Sequence, residues 1–143
     1  MNPAVANLFD DLLQALTHLA VVFPAALVAS AVHEYTRART AVKLGDPTPE
    51  DTERMTANPF SHVEYIGFLL MVLYHIGWSR PVPVNYNRLG WRKAIRINAT
   101  AFVASIIVAA VCLGMYHIYN LTPASWFGRF FRASMEINMG LAI

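Results

Sequence analysis

A histidine and a glutamate stand side by side at positions 33 and 34, and Arg37 follows them. In the pattern His-Glu-x-x-His, the two histidines lie one helical turn apart and bind zinc, while the glutamate is the general base for the metal-bound water. Here Arg37 occupies the position of the second histidine. Because arginine stays protonated and has no lone pair for a metal, we expect a vestigial site in which His33 no longer holds zinc, Glu34 is not catalytic, and Glu34 pairs with Arg37.

Three further histidines lie in apolar stretches of the chain, namely His18, His75 and His117. An imidazole in such a place can ligate the metal of a haem or a chlorophyll. The alternative is a hydrogen bond to the backbone or to a neighbouring helix. The single cysteine, Cys112, excludes an intrachain disulfide and a cysteine-rich zinc module.

Long charge-free stretches determine which elements can position these residues. Hydrophobic residues make up 56% of the 143 residues and charged residues only 14%, against about a quarter in soluble domains. Leu12 to Val32 and Ile97 to Gly128 contain no charged side chain over 21 and 32 residues. Each can cross a hydrocarbon core, which needs about 20 apolar residues in a helix. The first helix is predicted to continue past Val32 to about Leu44.

Two other apolar stretches are shorter. Tyr65 to Ser79 has 15 uncharged residues, which suits a re-entrant or hairpin segment, and Met135 to Ile143 resembles the first half of another span. The sequence therefore predicts an all-α integral membrane protein. It would have about three transmembrane helices and one short re-entrant segment, in a single membrane domain over residues 1–143.

Basic residues indicate how the chain lies in the membrane. Arg37, Arg39 and Lys43 follow the first span, and a second basic cluster precedes the Ile97 stretch. By the positive-inside rule both groups face the cytoplasm, so the N-terminus lies outside, and we expect the inner membrane of a bacterium. A net charge of +2 is too small to suggest a nucleic-acid partner. Lipid headgroups are the expected contacts of the second cluster, Arg88, Arg92, Lys93 and Arg96.

The surroundings of His33 resemble a known family. Gly45-Asp46-Pro47-Thr48 comes first, then Arg54-Met55-Thr56-Ala57-Asn58-Pro59-Phe60-Ser61-His62, and then Gly77-Trp78-Ser79-Arg80-Pro81-Val82-Pro83-Val84-Asn85. In this order the chain resembles the site-2 proteases, which are intramembrane zinc metalloproteases. The likeness covers roughly Ala25 to Asn85.

The resemblance implies a zinc site of two histidines and one later aspartate, and this chain departs from it. Residue by residue, the family's first histidine falls on His33, its glutamate on Glu34 and its second histidine on Arg37. The aspartate has no counterpart, because Ile137 to Ile143 matches only the stretch before that motif. The chain thus resembles a site-2 protease-like core that lacks its last motif.

Three functions remain open at this point. The first is an inactive site-2 protease-like protein, with no cofactor, that serves as an accessory or structural subunit of a larger membrane complex, such as a respiratory or photosynthetic one. The second is an active zinc metalloprotease whose missing ligands come from beyond the given chain. The third is a haem- or chlorophyll-binding membrane protein.

Overall fold

The computed structural model describes residues 3–142, of which none forms a strand and 76% are helical. The helices are α1 (Pro3–Lys43), α2 (Thr48–Asp51), α3 (Tyr65–Tyr74), α4 (Tyr86–Leu89), α5 (Trp91–Ile118) and α6 (Trp126–Leu141), with one 3-10 turn at Pro59–His62 between α2 and α3. The prediction that the first helix continues past Val32 is confirmed, because α1 ends at Lys43.

Two helices, α1 and α5, are long and apolar enough to cross a membrane. The 41 residues of α1 extend over about 60 Å, which is twice the hydrocarbon thickness of a bilayer of about 30 Å. The charged residues after Val32 therefore lie towards one end of the apolar part of α1. The helices α3 and α6, with 10 and 16 residues, are shorter than a full span.

The helices α1, α5 and α6 pack against one another, and the main hydrophobic core lies between α1, α3 and α6. Small side chains on α1, including Ala25, Ala26 and Ala29, are completely buried. They allow neighbouring helices to approach closely, which is the usual basis of helix packing in membranes. Met71 of α3 and Ile137 of α6 fill the space beside them.

A close backbone contact holds the non-helical segment 75–85 against α3. A Cβ atom on Gly77 would lie only 2.1 Å from the carbonyl oxygen of Gly67, so a side chain cannot be accommodated at Gly77 without moving backbone. At the start of this segment His75 adopts a left-handed conformation with φ of 60°, which ends α3. The segment then passes the inner face of α1, near Glu34.

The first part of α1 has little packing within the described chain. Nearly all residues from 5 to 20 are exposed, and many of them are large and apolar, such as Leu8, Leu12 and Leu16. An apolar helix surface of this kind suits contact with lipid chains or with another membrane protein.

Candidate functional site

Glu34 is buried at 2% exposure, and both of its carboxylate oxygens accept hydrogen bonds. Ser79 Oγ donates to Oε1 at 2.6 Å, and the backbone amide of Val82 donates to Oε2 at 2.8 Å. Both donors belong to the segment 75–85. The carboxylate therefore fastens this segment to α1.

Arg37 completes the environment of Glu34. Its Nη1 lies 3.2 Å from Oε2 and 3.4 Å from Oε1, so the ion pair expected from the sequence is present. Its Nη2 donates to the Tyr86 hydroxyl at 3.0 Å. The Arg37 side chain is only 13% exposed. Arg37 pairs with Glu34 on its own helix and connects α1 to α4 through the Tyr86 hydroxyl, which lies at the surface. We call Glu34, Arg37, Ser79, Val82 and Tyr86 the ionic clamp.

The other residue of the motif, His33, faces α5. Its Nδ1 lies 3.0 Å from Ser105 Oγ, at hydrogen-bond distance. His33 and Arg37 also line a cavity of about 540 Å³, together with Asn98 and Phe102 of α5 and Leu141 of α6. The motif residues thus point in two directions, with Glu34 towards the segment 75–85 and His33 towards α5.

These residues do not fit a catalytic zinc ion. Such an ion takes three protein ligands and a water molecule. Within residues 3–142, no three His, Cys, Asp or Glu side chains are grouped so that they could hold a metal. The Arg37 guanidinium lies beside Glu34, where it would repel a dication and where it is already paired with the Glu34 carboxylate.

A second buried carboxylate, Asp46, fixes the loop beside the clamp. Its Oδ1 accepts from Thr48 Oγ1 at 2.5 Å and from the Thr48 amide at 3.2 Å, and its Oδ2 accepts from the Asn85 amide at 2.7 Å. Burial raises the pKa of the Asp46 carboxyl, but these hydrogen bonds and the charge of Arg88 outweigh it and leave the pKa below its ordinary value. Asp46 therefore joins the end of α1 to the end of the segment 75–85.

The remaining histidines lie elsewhere. His18 Nε2 is 3.1 Å from the Val72 carbonyl oxygen, and its ring stacks on that of His75 with centroids 5.7 Å apart. His75 Nδ1 is 2.5 Å from Glu136 Oε2. His117 is exposed and packs edge-to-face on Tyr116. Whether any of the three binds a haem or chlorophyll stays a prediction.

The second basic cluster, which precedes the stretch that begins at Ile97, lies on the surface. Arg88, Arg92, Lys93 and Arg96 are all exposed, at the end of α4 and the start of α5. Lys93 Nζ donates to the Leu44 carbonyl at 2.9 Å, which ties α5 to the end of α1. Their contact with lipid headgroups stays a prediction.

Sequence reasoning found His33, Glu34 and Arg37 but missed their partners. Ser79 and Val82 lie in the Gly77–Asn85 motif, whose proline-rich sequence predicts extended backbone with amides available to a carboxylate. Tyr86 follows directly. Nothing in the sequence singled out Ser105 among the small residues of α5.

The chain is 29% identical over 126 residues to a protein of Bacillus subtilis (strain 168) named "Putative zinc metalloprotease YwhC". The alignment covers 80% of this chain and 57% of that relative, so the chain spans little more than half of the relative's length. No protein-family model and no solved structure matches. The chain is therefore similar, over most of its length, to a protein named as a zinc metalloprotease.

Proposed function

We propose that this chain is a site 2 protease-like integral membrane protein in which the zinc motif has become a structural clamp, and that it acts as a non-catalytic subunit of a larger membrane complex. The observation that carries the proposal is the occupation of Glu34. A general base needs a free oxygen near metal-bound water. Both oxygens of Glu34 already accept from Ser79, Val82 or Arg37.

The position of Arg37 supports the same proposal. In a zinc site the second histidine would lie here, one turn after His33. Arg37 instead donates to Glu34 and to the Tyr86 hydroxyl. It therefore contributes to holding the segments together rather than to holding a metal. A charged side chain at membrane depth is costly unless it is paired, which favours keeping Glu34 and Arg37 together.

The subunit role is supported by the exposed apolar surface of α1 between residues 5 and 20. We place the N-terminus outside and the ionic clamp near the cytoplasmic side of a bacterial inner membrane, because the basic residues follow the first span and precede α5.

A second candidate is an active zinc metalloprotease, which is favoured by the name of the similar protein and by its greater length. In this case the missing ligands come from residues outside the given chain, or from an unusual site.

Zinc content separates the two candidates. The chain is purified in detergent after expression with added zinc, and the metal is measured by inductively coupled plasma mass spectrometry beside an Arg37→His variant. We expect well below one zinc per chain without the substitution and more in the variant, whose two histidines stand one turn apart. Stoichiometric zinc in the unaltered chain, or peptide hydrolysis that Glu34→Gln abolishes, contradicts inactivity.

The subunit role has its own test. The untagged complex is extracted from its native membrane in mild detergent and its mass is determined by native gel electrophoresis and cross-linking. We expect defined partner proteins to accompany the chain. Migration as an isolated monomer after cross-linking in the intact membrane contradicts this part of the proposal.

A further inference from the structure

A second cavity, with both charged and apolar residues in its wall, lies far from the ionic clamp. It has a volume of about 280 Å³ and is bounded by α1, the end of α3 and α6. On α1 it begins at His18, which is 16 residues, or about 24 Å, from Glu34. Five polar side chains, His18, His75, Arg129, Arg132 and Glu136, line it among apolar residues. We call it the α6 cavity.

The acidic group of this cavity is already neutralised. Glu136 Oε1 accepts from Arg132 Nε at 2.9 Å, and Oε2 lies 2.5 Å from His75 Nδ1. His18 Nε2 is directed to the Val72 carbonyl oxygen. Both oxygens of Glu136 are therefore used by groups of the cavity wall itself.

The basic groups, in contrast, exceed the acceptors. Among residues 3–142, Arg129 Nε is a buried donor without a hydrogen-bond partner. Two arginines face one glutamate, so the arginine and glutamate side chains of the wall carry a formal charge of +1. Buried donors without acceptors are costly, and an anion in the cavity would relieve this cost.

We propose that the α6 cavity binds the phosphate group of an anionic phospholipid, with Arg129 and Arg132 as its contacts. A guanidinium matches the oxygens of a phosphate with paired hydrogen bonds. The two arginines lie in the first two turns of α6, beside the exposed aromatic residues Trp126 and Phe127, which is the composition of a membrane interface.

The dimensions also suit a headgroup. Pockets for drug-sized ligands have volumes of roughly 300–1,000 Å³, so the α6 cavity accommodates a headgroup but not the acyl chains. The acyl chains would lie along the exposed apolar side of α1, where Leu16 and Leu19 flank His18. The cavity thus presents a polar site for the phosphate next to an apolar surface for the chains.

Lipid retention tests this site. The full chain is purified in detergent, mixed with dioleoyl phosphatidylglycerol or with dioleoyl phosphatidylcholine, and examined by native mass spectrometry. We expect one retained phosphatidylglycerol per chain and about tenfold weaker retention in Arg129→Gln and in Arg132→Gln. Arg129→Lys, which keeps the charge, should retain more lipid than Arg129→Gln, and Arg39→Gln, at an exposed position of α1 outside the predicted headgroup contacts, is the matched control.

The outcomes separate the sources of the phosphate. Two results together would assign the α6 cavity to free phosphate and would still support an anion site there. The first is loss of lipid retention when millimolar inorganic phosphate is added. The second is a phosphate-dependent rise in melting temperature that Arg129→Gln removes. Equal retention in the unaltered chain and in both glutamine variants overturns the proposal, as does an equal loss in Arg39→Gln. Circular dichroism of each variant shows that it is folded.

Discussion

The backbone amide of Val82 and the hydroxyl of Ser79 donate to the Glu34 carboxylate at 2.8 and 2.6 Å, so one buried side chain of α1 holds two points of the segment 75–85. The position of this segment therefore depends on a carboxylate in the C-terminal part of α1. In a chain of this length no other described contact joins α1 to residues 79–82 through a charged group.

Removing one member of the Glu34–Arg37 pair should destabilise the fold strongly. Breaking a buried pair from one side costs about 3–5 kcal/mol, because the remaining charge is left unpaired. We expect Glu34→Gln and Arg37→Gln each to lower the free energy of unfolding by about 3 kcal/mol. The loss is at the low end because the remaining partner keeps other hydrogen bonds, Arg37 with Tyr86 or Glu34 with Ser79 and Val82. The double variant should lose much less than the sum, as measured by denaturation in mixed micelles.

Additive losses in this double-mutant cycle would show that the two side chains act independently, which contradicts the clamp. Tyr86→Phe provides a finer measurement, because it removes only the hydroxyl that accepts from Arg37 Nη2. The expected loss is about 1 kcal/mol, and it should disappear in the background of Arg37→Gln.

Asp46 should make stability depend on pH at the acid end. Its folded pKa lies below the ordinary value of 3.8, so the carboxylate stabilises the fold above that value and loses this contribution as the pH falls through the folded pKa. We expect the melting temperature of the unaltered chain to fall below about pH 4, with Asp46 contributing part of the change.

Asp46→Asn isolates that part. The variant should be less stable than the unaltered chain at pH 7, because an amide accepts less strongly from Thr48 and Asn85, and the difference between the two should shrink towards pH 3. Asp51→Asn, an exposed carboxylate on α2, is the matched control. A difference that does not change with pH would contradict the role of Asp46.

Gly77→Ala should be among the most harmful substitutions outside the clamp. Its new Cβ would lie 2.1 Å from the Gly67 carbonyl oxygen and 3.0 Å from the Met71 amide nitrogen, both of which are backbone. We expect a loss of folded protein, measured by fluorescence-detected size-exclusion chromatography. Gly114→Ala meets nothing within 4 Å and should be neutral or gain up to about 1 kcal/mol, because alanine favours the helix.

The sequence predicts the long helices and the local ion pair of this protein, but not the distant contacts of the site. Charge-free length identifies α1 and α5, because bilayer thickness fixes the number of apolar residues required. The spacing of Glu34 and Arg37 predicts their ion pair, since residues three apart share a helix face. The partners Ser79, Val82 and Ser105 lie 45 to 72 positions away in the chain, and no local pattern encodes such distances.

The limit is clearest for the short apolar stretch. The 15 residues from Tyr65 to Ser79 predict one apolar segment, but only Tyr65–Tyr74 is helical. His75 turns the chain by adopting a positive φ, an uncommon conformation for a residue with a side chain. Its ring then contacts Glu136, 61 positions later, which is a tertiary effect that hydropathy does not contain.

One unbroken helix carries both His18 and Glu34, with Pro24 between them. A proline removes one backbone hydrogen bond from the helix interior, so bending is easiest there. A tilt of the N-terminal part of α1, which carries His18, either bends the helix at Pro24 or moves the buried carboxylate of Glu34 together with the segment 75–85. His18 and Glu34 are therefore mechanically coupled through α1, and Pro24 is the position at which this coupling is weakest.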